Sequence, residues 1–185
     1  MPSVPALFWY FHPDAPNLVH SDLARIVIDD GRRFLDNSNQ TYDVIVIDPP
    51  PPPAAPGSSL LYSTEFYDVV KKHLRKHGIL QNWLPTQITD SATITAATKA
   101  LLQSFPYVRA FSSYDGAGIH FLASMEPLPV SSSSVLAARL PVAAADFVEW
   151  GPQANAQQQF DLVALPRTYL GEPSRLGSSG ARKSR

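Results

Sequence analysis

Four aliphatic residues in an unbroken row, closed by an acid and then by five prolines, constrain this chain more than any other feature. The segment is Tyr42-Asp43-Val44-Ile45-Val46-Ile47-Asp48, followed by Pro49 to Pro53. A strand with one wet face alternates apolar and polar residues. This one does not, so it reads as a central strand covered on both faces, as in parallel α/β sheets. The prolines cannot extend a central strand or form a regular helix interior. They read as a stiff polyproline-like loop, which leaves Asp48 at the carboxyl end of the strand.

The other segments fit the same plan. Arg25-Ile26-Val27-Ile28 is short, β-branched and followed by Asp29-Asp30-Gly31, and it reads as a second buried strand. Arg32 to Asp36 reads as a short helix. From Ser63 to His77 the spacing of Phe66, Val69, Val70 and Leu74 predicts an amphipathic helix. Ser63 is placed to cap it, and the cations Lys71, Lys72, Arg75 and Lys76 crowd its C-terminal half. Gly78 marks its end. Ile79 to Trp83 is a further strand. Thr89 to Phe105 is a second helix with Ile94, Ala97, Leu101 and Leu102 inward. Tyr107 to Ser112 and Gly118 to Ser124 form two strands turned at Tyr114-Asp115-Gly116.

The order is helix, β, α, β, loop, α, β, α, β, β. Alternation of this kind argues for an open, mostly parallel sheet, here ending in an antiparallel hairpin. Ligands of such sheets sit at the carboxyl ends of the strands. That rule points to Asp29, Asp30, Gly31, Asp48, the proline loop, Gln81 and Asn82.

Composition narrows the function classes. The chain has 185 residues, with 44% hydrophobic and 17% charged, the balance of a folded domain rather than a disordered one. A net charge of −1 gives no electrostatic case for nucleic acid or for a membrane surface. There is no cysteine, so disulfides and thiolate chemistry are out. The apolar run between Met1 and Phe11 is far shorter than the roughly 20 residues a membrane span needs. No Lys or Arg precedes it, which makes it a poor signal peptide, and it reads as a short buried helix. His73 and His77 are four apart but sit among Lys and Arg, which disfavours a bound cation. The cluster from Lys71 to His77 reads as a solvated helix end. No metal site and no permanently bound cofactor are expected.

Three stretches together carry a family resemblance. They are Asp30-Gly31-Arg32-Arg33-Phe34-Leu35, the strand from Tyr42 to Asp48, and Leu60-Leu61-Tyr62-Ser63-Thr64-Glu65-Phe66-Tyr67. In order and spacing they resemble spermidine synthase, a polyamine aminopropyltransferase, and its bacterial spermidine-synthase-like relatives. The resemblance runs over about Val4 to Pro127, more faintly to Trp150. It implies an α/β class I methyltransferase-like Rossmann fold. In that family decarboxylated S-adenosylmethionine, as co-substrate, gives an aminopropyl group to the amine of putrescine. The resemblance places Asp48 where the family keeps the carboxylate that positions the amine and takes its proton. It places Asp30 at the adenine amino group, with Gly31 allowing close backbone approach. Tyr62 falls near the gate region, and Gln81 faces the amine site.

The departures shape the remaining expectations. The family's glycine-rich loop and the acid of the following strand should precede residue 1, and the gate motif's second aspartate is replaced by Pro51. The sheet is therefore expected to be incomplete, with an exposed edge that predicts dimerisation or aggregation. Residues 1–127 are expected to form the partial Rossmann-like domain. Residues 128–170 are expected to form an Ala-rich, partly helical extension, and 171–185 a disordered tail. The expected setting is cytoplasmic, with small-molecule polyamine and nucleoside ligands. Two other readings stay open. An S-adenosylmethionine-dependent methyltransferase is suggested by Asp48-Pro49-Pro50, although Pro51 stands where an aromatic ring would. A non-catalytic remnant or interaction domain is suggested by the missing loop.

Overall fold

A computed structural model describes residues 3–10, 17, 19, 21–22, 24–48, 53, 55, 57–113 and 116–129, with the backbone of 169–171. The chain divides into two compact units, Met1–Asn39 and Gln40–Arg185.

The first unit holds helix α1 (Ser3–Leu7), a 3-10 turn (Phe8–Tyr10) and helix α2 (Gly31–Asp36). The N-terminal apolar run is helical, but it is not buried. Val4, Leu7, Trp9 and Tyr10 are all exposed, because little more than one turn presents no continuous stripe to pack. Trp9 and Tyr10 stack on each other at 3.8 Å. The expected strand Arg25–Ile28 is also not one. The segment is assigned to no strand, and Ile26, Val27 and Ile28 are exposed. β-branched composition favours an extended chain but does not itself supply a ladder partner. Helix α2 forms as expected, capped by Asp30.

The second unit is a five-stranded sheet with strands β1 (Tyr42–Ile47), β2 (Leu74–Pro85), β3 (Tyr107–Ser112), β4 (Gly118–Ser124) and β5 (Tyr169–Gly171). Their order across the sheet is β1-β2-β4-β3-β5. β1 and β2 are parallel, β4 is antiparallel to both β2 and β3, and β5 is antiparallel to β3. β1, β2 and β3 thus share one direction, and the hairpin β3–β4 folds back between β2 and β5. This is a mixed Rossmann-like sheet of the expected class, with the hairpin ends where the sequence put them.

β1 itself differs from expectation. Among the described residues it is an edge strand, and only one of its faces is covered. Ile47 is buried and Ile45 half-buried, while Val44 and Val46 are exposed. On β2 burial alternates: Leu80, Asn82 and Leu84 point inward, while Ile79, Gln81 and Trp83 lie on the half-open face, as the two-residue period of a strand requires.

Helices α3 (Thr64–His73) and α4 (Ser91–Ser104), with a 3-10 turn at Ser59–Tyr62, cover the inner face. Ser63 caps α3, accepting from the Phe66 N–H at 3.2 Å. The helix ends four residues before His77. Continuing it would have set Lys71 against Arg75 and Lys72 against Lys76, like-charge pairs that destabilise a helix. Leu74 instead turns extended and opens β2. The buried stripe of α3 is Phe66, Tyr67, Val70 and His73. His73 was expected in a solvated cluster. It is buried instead, and its Nδ1–H donates to the Gln40 carbonyl at 2.8 Å. Asp90 caps α4 through the Thr93 N–H at 2.9 Å. Ala97 and Leu101 are its buried apolar residues, and Ile94 and Leu102 are half-buried. Most of the proline loop, the Tyr114-Asp115 turn, residues 130–168 and the tail from 172 lie outside the described residues. β5 is a strand the sequence did not announce.

Candidate functional site

Parallel pairing sets the carboxyl end of β1 beside the middle of β2, which runs on to Pro85. Val46 pairs with Gln81 and Ile47 with Asn82. Asp48 follows Ile47 directly and is exposed. Tyr62, at the end of its 3-10 turn, reaches the same place. Its phenol donates to the Trp83 carbonyl oxygen at 2.9 Å. Burial pushes this phenol well above the usual tyrosine range, and the Asp48 carboxylate pushes it further. Tyr62 is therefore a neutral donor held near a negative charge. Of the residues singled out in the sequence, Asp48 and Tyr62 are thus brought close together, while Gln81 lies on the neighbouring strand beside Val46.

On the inner face lies a polar pair whose first member, Asn82, the sequence pointed to, but whose partner it did not. Asn82 Nδ2 donates to the Tyr67 phenol oxygen at 2.9 Å in the core. Asn82 Oδ1 is buried with no hydrogen-bond partner. Burial raises the Tyr67 pKa, the neighbouring Tyr62 adds to the rise, and the Asn82 hydrogen bond offsets part of it. On the other face of β2, Gln81 Nε2 stands 2.9 Å from His120 Nδ1. Trp83 Nε1 donates to Ser113 Oγ at 3.1 Å. Gly118 leaves room for that indole, since a Cβ there would come within 2.6 Å of Trp83 Nε1 and 2.5 Å of the Leu84 carbonyl oxygen.

Asp30 and Gly31 belong to the first unit. Asp30 Oδ1 accepts from the Arg33 N–H at 3.0 Å, so this carboxylate is the N-cap of α2. Asp29 is engaged as well, by the Arg33 guanidinium and by the Asp30 N–H at 2.8 Å. The Arg33 hydrogen bond, then the Asp30 one, holds its carboxyl below the usual range. A Cβ at Gly31 would meet nothing within 4 Å, so the space beside this residue is open.

A cavity of about 430 Å³ lies between the end of α4, β3 and the segment after β4, lined by Phe105, Tyr107, Arg109 and Leu128 among others. None of the singled-out residues lines it. Among the described residues no three His, Cys, Asp or Glu side chains form a metal-binding group, and no helix is long and apolar enough to cross a membrane.

Residues 10–121, more than half of the chain, match the spermine/spermidine synthase domain. The chain belongs to that family. Asp30, Gly31, Asp48, Tyr62, Gln81 and His120 all fall inside the matched stretch. Among spermine/spermidine synthase relatives, polyamine aminopropyltransferase 2 of Hyperthermus butylicus is 31% identical over 94 residues, which are 51% of this chain and 31% of that protein. Polyamine aminopropyltransferase 1 of Pseudomonas aeruginosa is 35% identical over 100 residues, 52% of this chain and 34% of that protein. The chain thus spans about a third of the length of these relatives. Two solved structures share the fold. A spermidine synthase in complex with the transition state analogue AdoDATO superposes with TM-score 0.58 at 21% identity, over 68% of this chain and 44% of that one. The spermidine synthase of Thermotoga maritima gives 0.56 at 20% identity, over 68% and 43%.

Proposed function

We propose that this chain carries the amine half of an aminopropyl-transfer site, built on Asp48, Tyr62 and Gln81. The observation that carries the reading is Asp48, directly after the carboxyl end of β1 where open α/β sheets bind ligands, with Tyr62 close enough to feel its charge and Gln81 paired with Val46 on the neighbouring strand. The substrates are a polyamine of the putrescine type and decarboxylated S-adenosylmethionine. In the reaction the neutral amine nitrogen attacks the carbon beside the sulfonium. The new N–C bond forms as the C–S bond breaks, and methylthioadenosine leaves with the electron pair. Asp48, exposed and at the strand end, takes the proton that the amine nitrogen sheds. Tyr62 stays protonated and so offers a donor rather than a second anion.

For the first unit by itself we propose an adenine contact at Asp30 and Gly31, with the open space beside Gly31 in its favour. Residues 1–127 constitute the family domain in this reading, with 128–170 an extension and 171–185 a tail. A homodimer through an exposed sheet edge and a cytoplasmic setting belong to it too.

The test is isothermal titration calorimetry with methylthioadenosine, on the wild type and on Asp30→Ser, which keeps a capping oxygen but removes the carboxylate. Binding by the wild type, weakened in the variant, is the expected result. Aminopropyl transfer to putrescine, assayed with Asp48→Asn alongside, then tests the chemistry. Absence of nucleoside binding together with absence of transfer would leave the non-catalytic reading in its place.

A further inference from the structure

Gln81 and His120 face each other on the half-open side of the sheet. The β2–β4 register pairs Trp83 with His120 and Gln81 with Leu122, so the two residues are diagonal neighbours, and Gln81 Nε2 lies 2.9 Å from His120 Nδ1. An amide nitrogen donates and does not accept. With the amide in this orientation Nδ1 is the acceptor, which puts the imidazole proton on Nε2. The donor end of the Gln81 amide is occupied. Its carbonyl oxygen, Oε1, is left as the free end.

That asymmetry matters for an amine. An amine site must present acceptors, because an aliphatic amine offers N–H groups, and an ammonium offers nothing else. A glutamine left to rotate presents either end of its amide. We propose that His120 is a positioning residue that fixes the Gln81 amide with Oε1 toward the N–H groups of the acceptor amine. The inference rests on the reading of Gln81 as an amine contact. The surroundings of His120 suit this role. Its register partners on the strands to either side, Trp83 on β2 and Phe111 on β3, are both aromatic.

Two measurements on the full chain test this. The first is the imidazole tautomer, read from long-range 1H–15N correlations. The Nε2–H form is expected; the Nδ1–H form would mean the amide is turned the other way, and would overturn the proposal. The second is the affinity for 1,4-diaminobutane, with circular dichroism as a check on folding. Gln81→Ala and His120→Phe should each weaken binding about tenfold, the scale of one hydrogen bond. Phe fits a strand position but offers no acceptor. His120→Asn puts a carbonyl oxygen near the place of Nδ1 and should recover most of the loss, which a purely structural role would not produce. Weakened binding in Gln81→Ala with wild-type binding in His120→Phe sinks the positioning role and leaves the amine-site reading standing. No diamine binding by the wild type, or unchanged binding in Gln81→Ala, removes that reading and the proposal with it.

Discussion

Tyr67 and Asn82 are each 1% exposed and share a hydrogen bond across the interface between α3 and β2. Asn82 Oδ1 has no partner of its own, so this contact is the main compensation for burying an amide in the core. Removing either partner alone strands the other. Tyr67→Phe and Asn82→Leu should each destabilise the fold by about 1–3 kcal/mol. The double variant should lie close to the wild type, because no polar group is then left buried and unpaired. The Tyr67 ring contact with Phe105, edge-on at 6.0 Å, survives in Phe. Urea denaturation of all four proteins closes the cycle; additive losses would show that the two side chains act independently.

The same tyrosine, with Tyr62, sets an alkaline limit on stability. Both phenols have folded-state pKa values raised above the usual tyrosine value, chiefly by burial. The unfolded chain releases these protons from about pH 10, while the folded protein retains them. Stability is therefore intact below that pH and falls as pH rises beyond it. The slope is up to about 1.4 kcal/mol per pH unit for each phenol. Unfolding free energies measured between about pH 8 and pH 11, a window set by the ordinary phenol pKa, should show this fall, and it should be shallower in Tyr67→Phe. An identical slope in the variant would remove Tyr67 as a cause.

How much of this was legible in the sequence depended on distance along the chain. The β3–β4 hairpin was readable because its pairing is local and its turn chemistry is explicit. The end of β1 before Asp48 was readable because prolines follow it, whereas β2 runs on to Pro85, past the strand end expected at Trp83, and leaves Gln81 within the strand. The Gln81–His120 contact spans 39 residues and depends on β4 returning beside β2, which no local pattern states. Ile26, Val27 and Ile28 have the composition of a buried strand, yet composition cannot say whether a ladder partner exists. The end of α3 was misplaced because Leu74 continues the helical spacing, while like-charge repulsion and pairing with β1 favour an extended chain.

Gly118 illustrates a constraint set by such long-range pairing. An added methyl group would press on a main-chain oxygen, that of Leu84, and on the Trp83 indole at once. The oxygen belongs to the β2–β4 ladder, where Leu84 pairs with Ile119, and it cannot move without opening that pairing. Gly118→Ala should therefore cost about 1–3 kcal/mol and displace the indole from Ser113. A thermal melt combined with tryptophan fluorescence checks both effects. An unshifted melting point would mean the strand end yields freely.

Asp30 carries two duties that a single truncation would confuse. Its side chain caps α2 through the Arg33 N–H, and in the proposed function it contacts an adenine amino group. α2 has six residues, too few to persist without its cap, so Asp30→Ala should loosen the helix by about 1 kcal/mol whatever its role in binding. Asp30→Ser retains a capping oxygen. Hydrogen exchange at Phe34, whose N–H donates to the Asp30 carbonyl at 2.8 Å, reports on the helix directly. Exchange should quicken in Asp30→Ala and stay near wild type in Asp30→Ser. If nucleoside affinity follows helix protection across the two variants, the cap is the whole role of Asp30. If affinity drops in Asp30→Ser while protection holds, the carboxylate itself meets the ligand.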